Sequence, residues 1–283
     1  MTTDVTYVSG STGFLGQKVA LHLLEKGSRV LLGGRKEIEL QELFVKLKKN
    51  FGSQMVGAIN CDLSKSEEWY GLTKQLDLYE VTKFVNCAGL QGPIAPVIEL
   101  KNEDFTEAFN VNLFSAVFLT KYFLLKPEKN DFSSIIHFSG GGATSARPFF
   151  APYSLSKTAL VRFVENVALE NQGRGVSINI IAPGVMPSQM QSEIMNSTLL
   201  SKTHEVDSAK QSFLDHSNEL QTLLELIEFL LSKKSAGLSG KLISAKWDNW
   251  GNWAKHLDKI QESDLYTLRR VTARDRGESW GDL

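Results

Sequence analysis

A glycine loop near the N-terminus constrains this chain more than any other feature. Gly10-Ser11-Thr12-Gly13-Phe14-Leu15-Gly16 directly follows the β-branched run at residues 5–8 and leads into a helical pattern over residues 15–26. Glycine at these three places serves a tight turn, a close approach of backbone to pyrophosphate, and packing of the helix on the strand. The helix that starts there offers free N–H groups and the positive end of its dipole to phosphate. Strand, loop and helix in that order mark a dinucleotide site and not a plain turn.

The rest of the chain repeats the same rhythm. Short apolar runs at 29–32, 55–59, 83–86, 134–138, 176–181 and 241–243 alternate with helical patterns at 37–49, 105–125, 153–172 and 218–231. Alternation of this kind predicts an α/β fold, a Rossmann-type doubly wound parallel sheet with helices on both faces. Gly33-Gly34 closes the second strand and Lys126-Pro127 stops the helix before the fifth. Residues 185–217 are polar without a clean period, which suits a mobile lid over a ligand. The organisation predicted is one catalytic domain over residues 1–246 with a Trp-rich extension over 247–283. Trp247, Trp250 and Trp253 fall at three-residue spacing, and Trp280 follows a charged stretch. Such spacing reads first as packing on the domain, and alternatively as a subunit contact or a cover for a substrate mouth.

Composition narrows the partners. Of 283 residues, 42% are hydrophobic and 22% charged, which excludes disorder. Lys plus Arg number 31 against 32 Asp plus Glu, so no basic field exists to hold nucleic acid or an anionic membrane. Apolar stretches such as 223–231 are broken by Glu225 and Glu228, and no bilayer span is expected. Cys61 and Cys87, both in apolar runs, suggest a reducing compartment and a cytoplasmic protein without a leader. No metal-ligand spacing is present.

Two further sites carry chemistry. The second strand ends in Arg35-Lys36, where NAD-binding chains place a carboxylate for the ribose hydroxyl. Two cations there favour a 2′-phosphate and hence NADP(H), with NAD(H) as the alternative if they merely begin a solvated helix. Tyr153 and Lys157, at i and i+4, share one helix face. An ammonium beside a phenol stabilises the phenolate and moves its acidity toward the working range.

The combination Gly10–Gly16, Asn86-Cys87-Ala88-Gly89, Asn112, Ser139, Tyr153-x-x-x-Lys157 and Pro183-Gly184 resembles the short-chain dehydrogenase/reductase family over residues 4–245. The resemblance implies that Tyr153 is the acid–base group and that Lys157 supports it and binds the nicotinamide ribose. It implies that Asn112 holds a water in the proton relay, unless Asn112 is a buried polar residue satisfied by backbone. Asp62 and Leu63 match the segment near the adenine; Asn86, Ala88 and Gly89 match the cofactor lining; Ser188 matches a hydroxyl near the carboxamide.

Two departures stand out. The glycine spacing is that of the extended, nucleotide-sugar-modifying branch. The serine expected thirteen residues before Tyr153 is replaced by Gly140. Ser139 is the nearest hydroxyl, with Thr144 and Ser145 as other candidates for a donor to the substrate oxygen. A looser similarity to members from bacterial surface-polysaccharide pathways tilts the substrate toward a sugar or nucleotide sugar. The expected activity is hydride transfer between NADP(H) and a carbonyl or alcohol of a polar small molecule. The alternatives are an epimerase or dehydratase that retains its cofactor and an inactive cofactor-binding regulator. Family members form homodimers or homotetramers through the helices beginning near Asn102 and Tyr153.

Overall fold

The computed structural model describes residues 4–126, 132–201, 203–214 and 216–280. Pro127, expected to stop a helix, lies outside them, as do Lys202 and Asp215 of the expected lid and the ends of both predicted domains. Seven parallel strands form one sheet in the order β3-β2-β1-β4-β5-β6-β7. They are β1 (Val5–Ser9), β2 (Arg29–Gly34), β3 (Met55–Asn60), β4 (Val81–Asn86), β5 (Ser133–Phe138), β6 (Val176–Ala182) and β7 (Leu242–Ser244). The order reverses between β1 and β4, so a crevice opens beyond their carboxyl ends.

Period-two alternation along the strands divides the core. Val8, Val30, Leu32, Val85, Ile136 and Ile181 face one side, covered by α1 (Phe14–Glu25), α2 (Glu37–Phe51) and α9 (Ser217–Leu230). Tyr7, Leu31, Phe84, Ile135, Ile178 and Ile180 face the other. That side is covered by α3 (Ser66–Leu76), α5 (Ser115–Leu125) and α6 (Ala151–Glu170). Strands buried on both faces read as near-continuous apolar runs, as these do.

Four differences from the sequence reading have clear causes. Helix α3 falls in a stretch assigned no element, although Trp69, Leu72 and Leu76 are buried at helical spacing behind Glu67 and Glu68. The helix expected from 105 begins at Asn102, as α4 (Asn102–Phe109), and runs on through a π-helical turn (Asn110–Phe114) into α5. That 24-residue helix is long and apolar enough to cross a bilayer, contrary to the expectation that nothing here is. Ala116 and Leu119 instead pack into the core beneath the sheet. The aperiodic stretch 185–217 is largely helical, with α7 (Gln189–Asn196) and α8 (His204–Leu214). Their apolar residues Ile194, Val206 and Ala209 gather around Phe150, just ahead of α6. Finally, Gly33 and Gly34 are the last two paired residues of β2 and not a turn beyond it.

Beyond β7 the chain turns back along the sheet edge. Tyr266 accepts a hydrogen bond from the Leu242 amide (2.8 Å), and its ring lies 4.3 Å from that of buried Trp253. Trp250 stacks near Phe229 of α9, while Trp247 and Trp280 stay exposed. A short helix, α10 (Leu257–Gln261), completes this arm.

Candidate active site

The glycine loop makes its turn because two positions, Gly10 and Gly16, have no room for a side chain. Gly10 has φ +63°, and a Cβ there would stand 2.7 Å from the Ala88 amide nitrogen. A Cβ on Gly16 would collide with the Gly10 carbonyl, so the first turn of α1 lies directly on the loop. The Gly13 amide donates to the Gly10 carbonyl (3.0 Å). The Ser11 hydroxyl turns away from the ligand side, donating to the Val8 carbonyl and accepting from the Gly33 amide. Ser11 therefore braces the loop.

A groove of about 380 Å³ follows the loop across the crevice. Gly10, Thr12, Gly13 and Phe14 form its floor. Arg35, Lys36, Asp62 and Leu63 line one end, and Ala88, Gly89 and Ser188 the other. Eight of the expected cofactor residues lie outside this lining: Ser11, Leu15, Gly16, Asn86, Tyr153, Lys157, Pro183 and Gly184. Leu15 and Gly16 belong to the packed start of α1. The Asn86 side chain is buried, accepting from Ser9 Oγ (2.6 Å) and meeting His137 Nδ1 (3.2 Å). Pro183 and Gly184 form the turn after β6. Their part is to shape the backbone, because the sheet needs those side chains and turns for itself.

The ends of the groove differ in charge. Arg35 is exposed, while Lys36 Nζ is tied to Glu39 Oε1 at 2.8 Å, so much of its charge is matched. Asp62 Oδ1 accepts from the Ser64 amide and hydroxyl. Tyr7, Leu90, Val111 and Gln189 also line the groove and were not anticipated. Tyr7 had a signal: two glycines inside a strand mark a close approach, and the Tyr7 hydroxyl fills the place of a Cβ on Gly33.

Beside Gly89 two of the expected catalytic residues, Asn112 and Lys157, come together. From the position a Cβ would take there, Asn112 Oδ1 is 3.7 Å away, Lys157 Nζ 3.8 Å and Met190 Cε of α7 3.5 Å. Asn112 sits in the π turn, a break in helical pairing that recurs at functional sites. Its amide is engaged on both sides, with Leu90 N–H to Oδ1, and Nδ2 to Leu90 O and Ser156 Oγ, all within 2.9 Å. Lys157 is buried and donates to the Phe138 carbonyl at 2.9 Å. Burial pulls its pKa down to about 8, with Cys87 opposing. Burial also pushes the Tyr153 phenol up, and Arg147 pulls it back. His137, desolvated and near Lys157, is held down to about 3 and is neutral. Since Asn86 Nδ2 donates to His137 Nδ1, the proton belongs on Nε2, facing Thr120 Oγ1 at 3.0 Å.

The loop behind β5 is shaped by what it lacks. The Tyr153 hydroxyl occupies the space of a Cβ on Gly140, and Ser154 Oγ that of one on Gly142. Ser139 is buried, its amide donating to the Ile181 carbonyl. Among the described residues no hydrogen bond joins its hydroxyl to Tyr153. Polar ties then hold α7 and α8 over the site: Gln91 Nε2 donates to Glu193 Oε2 (3.3 Å), and Arg147 grips Glu205 with two bonds of 2.8 and 2.7 Å. Among the described residues no cluster fit for a metal ion occurs.

A groove over a glycine loop, with buried Lys157 beside its residue Gly89 and buried Tyr153 one turn earlier on the same helix, is the arrangement of a nicotinamide-dependent oxidoreductase. The chain belongs to the short-chain dehydrogenase family, whose model matches residues 4–198. It is 26% identical to the 3-oxoacyl-acyl-carrier-protein reductase FabG of Rickettsia bellii, over 83% of this chain and 92% of that one. An actinorhodin polyketide ketoreductase solved with NADPH superposes with a TM-score of 0.72, at 23% identity over 86% of this chain and 96% of that one. A Beutenbergia cavernae structure, provisionally described as an NAD(P)-dependent gluconate 5-dehydrogenase with NADP, superposes with a TM-score of 0.73, at 22% identity over 86% and 94%. The chain is thus an NAD(P)(H)-dependent oxidoreductase.

Proposed function

We propose that this protein reduces a carbonyl group of a polar small molecule with NADPH, or oxidises the corresponding alcohol with NADP+. The observation that carries this reading is the placement of Lys157 Nζ and Asn112 Oδ1 beside the bare α-carbon of Gly89, a groove residue, with Lys157 Nζ 5.8 Å from the centre of the Tyr153 ring. The residues fit a dinucleotide: Gly10 and Gly16 leave no room for side chains where phosphate would lie, and Arg35 stands free for a 2′-phosphate. When bound, the nicotinamide supplies the hydride. Tyr153 gives its phenolic proton to the substrate oxygen in reduction and takes it back in oxidation. Lys157, anchored on Phe138 O, keeps positive charge beside the phenol while the ribose hydroxyls take its remaining donors. Asn112 orders the chain beside Lys157 through its two bonds to Leu90. Ser139, or Thr144 or Ser145 behind it, offers the donor for the substrate oxygen.

For the substrate, the polar chain Gln91–Glu193–Gln189 over Gly89 suits a hydroxylated ketone, such as a sugar or sugar acid. A 3-oxoacyl thioester, the substrate named for the Rickettsia relative, is the second class. The test follows NADPH absorbance with a panel of ketoses, sugar-acid ketones, nucleotide sugars and 3-oxoacyl thioesters. Net NADPH consumption on the hydroxylated ketones, lost in Tyr153→Phe by ~10²–10⁴-fold with NADPH binding kept, is the expected result. Turnover without net consumption points to an epimerase or dehydratase instead. Tight NADPH binding with no turnover on any member points to a regulator.

The same reading includes self-association and a reducing compartment. Phe114 at the end of the π turn, Leu125 on α5, and Leu155 and Leu169 on α6 are exposed, and both cysteines are free thiols. A homodimer or homotetramer would cover those apolar side chains. Leu155→Asp should shift the mass measured by light scattering toward the monomer.

A further inference from the structure

The chain lacks the serine that its family sets against the catalytic tyrosine, and what stands near Tyr153 is a clamped arginine. Gly140 gives its place to the Tyr153 hydroxyl, and the guanidinium of Arg147 packs against the next residue. Its Cζ lies 3.6 Å from where a Cβ on Gly141 would be. Arg147 is fixed from three directions. Glu205 of α8 takes both arms of its fork, the Phe150 ring lies 3.6 Å from Cζ, and Gly141 bounds its stem. The turn that carries it is strained: Phe149, two residues on, holds φ +71°, and its carbonyl is pinned by the Ala95 amide. Strain of that kind persists only where surrounding contacts fix it, and here they bring a permanent cation to the start of α6.

We propose that Arg147 is a positioning residue for proton transfer at Tyr153, fixed by Glu205, so that docking of α8 on the loop before α6 completes the acid–base site. This inference rests on Tyr153 being the acid–base group.

The charges facing Tyr153 support it. On its own helix stands Lys157, whose charge weakens above about pH 8, with Cys87 beyond it. From β5 comes His137, which is neutral. From α8 come Glu205, held low by Arg147, and His204. From α7 comes Glu193, occupied by Gln91 and Gln189. Against the upward push of burial, the Arg147 guanidinium favours the Tyr153 phenolate. A guanidinium keeps its proton at every relevant pH, so its support survives where that of Lys157 fades.

The test is a spectroscopic titration of tyrosinate in the NADP+-loaded protein, with Tyr153→Phe subtracted to isolate one phenol. In Arg147→Met the Tyr153 midpoint should move up by about one pH unit relative to wild type. Arg147→Lys, which keeps the charge, should restore most of that shift. Arg147→Gln retains a donor for Glu205 and protects the fold, and should behave like Arg147→Met. A midpoint unmoved in Arg147→Gln overturns the proposal and leaves Arg147 as a structural tie between α8 and the loop. No substrate is needed, so failure of the substrate panel would not touch this result. Should Tyr153→Phe retain full turnover on a substrate, the proposed function itself falls.

Discussion

The phenolic oxygen of Tyr153 lies in the space a Cβ on Gly140 would fill, so the missing side chain and the tyrosine hydroxyl share one place. Restoring the family's serine there should therefore harm this protein. Gly140→Ser, and equally Gly140→Ala, forces Tyr153 off its seat against Lys157. We expect turnover to fall by at least about 10²-fold, since displacement of a reacting group by about 1 Å costs that much. NADPH affinity, measured by fluorescence titration, should change little. A gain in turnover would show that the loop relaxes to admit the serine.

In the proposed reaction Lys157 should set the alkaline limit of reduction. Its pKa is held down to about 8 by burial, so the free enzyme loses the ammonium as pH rises through that value. The Tyr153 phenol is pushed up and stays protonated there, which assigns the limb to Lys157. kcat/KM for reduction should fall about tenfold per pH unit above about 8. Lys157→Arg should carry the limb beyond the accessible range, at lower overall rate. A wild-type profile flat to about pH 10, the ordinary lysine range, would count against this assignment.

Cofactor choice is expected to rest on Arg35 more than on Lys36, whose charge Glu39 already engages. A guanidinium grips a phosphate with two charge-assisted bonds, each contributing roughly 1.5–3 kcal/mol in favourable settings. Arg35→Asp should weaken NADPH by about 10- to 100-fold and leave NADH unchanged or improved. Lys36→Ala should cost much less. A wild type that prefers NADH removes the 2′-phosphate from the argument.

His137 makes stability depend on acid. Buried neutral between Asn86 and Thr120, its pKa is held to about 3 against an ordinary 6.5. Below about pH 6.5 the unfolded chain takes up a proton that the folded chain refuses, so stability falls with decreasing pH and is unaffected above. The slope is about 1.4 kcal/mol per pH unit from this one group. Urea unfolding at pH 6.5 and 5 should show a difference of about 2 kcal/mol that His137→Gln largely removes. An equal difference in the variant would place the acid sensitivity elsewhere.

The parallel sheet, the glycine loop and the tyrosine–lysine pair were all legible in the residues. Strand alternation and loop spacing are local, and each element's own period carries them. Helix α3 was legible too, through Trp69, Leu72 and Leu76, yet its polar surroundings hid it. The helices of residues 185–217 were not, because their apolar residues Ile194, Val206 and Ala209 meet a hub, Phe150, that lies 44 to 59 residues upstream.

By itself, then, the sequence determined the strands and the long helices that cover the sheet apart from α3, where a dinucleotide loop must turn, and which two residues share a helix face. Only the tertiary structure decided that Asn86 serves the sheet and not the groove, that Gly140 yields its space to Tyr153, and that Arg147 is held by Glu205. The reason is physical. Backbone period and glycine freedom act over a few residues, whereas burial, exclusion of a Cβ and pairing of charges depend on which distant segments the packed core brings within a few ångströms.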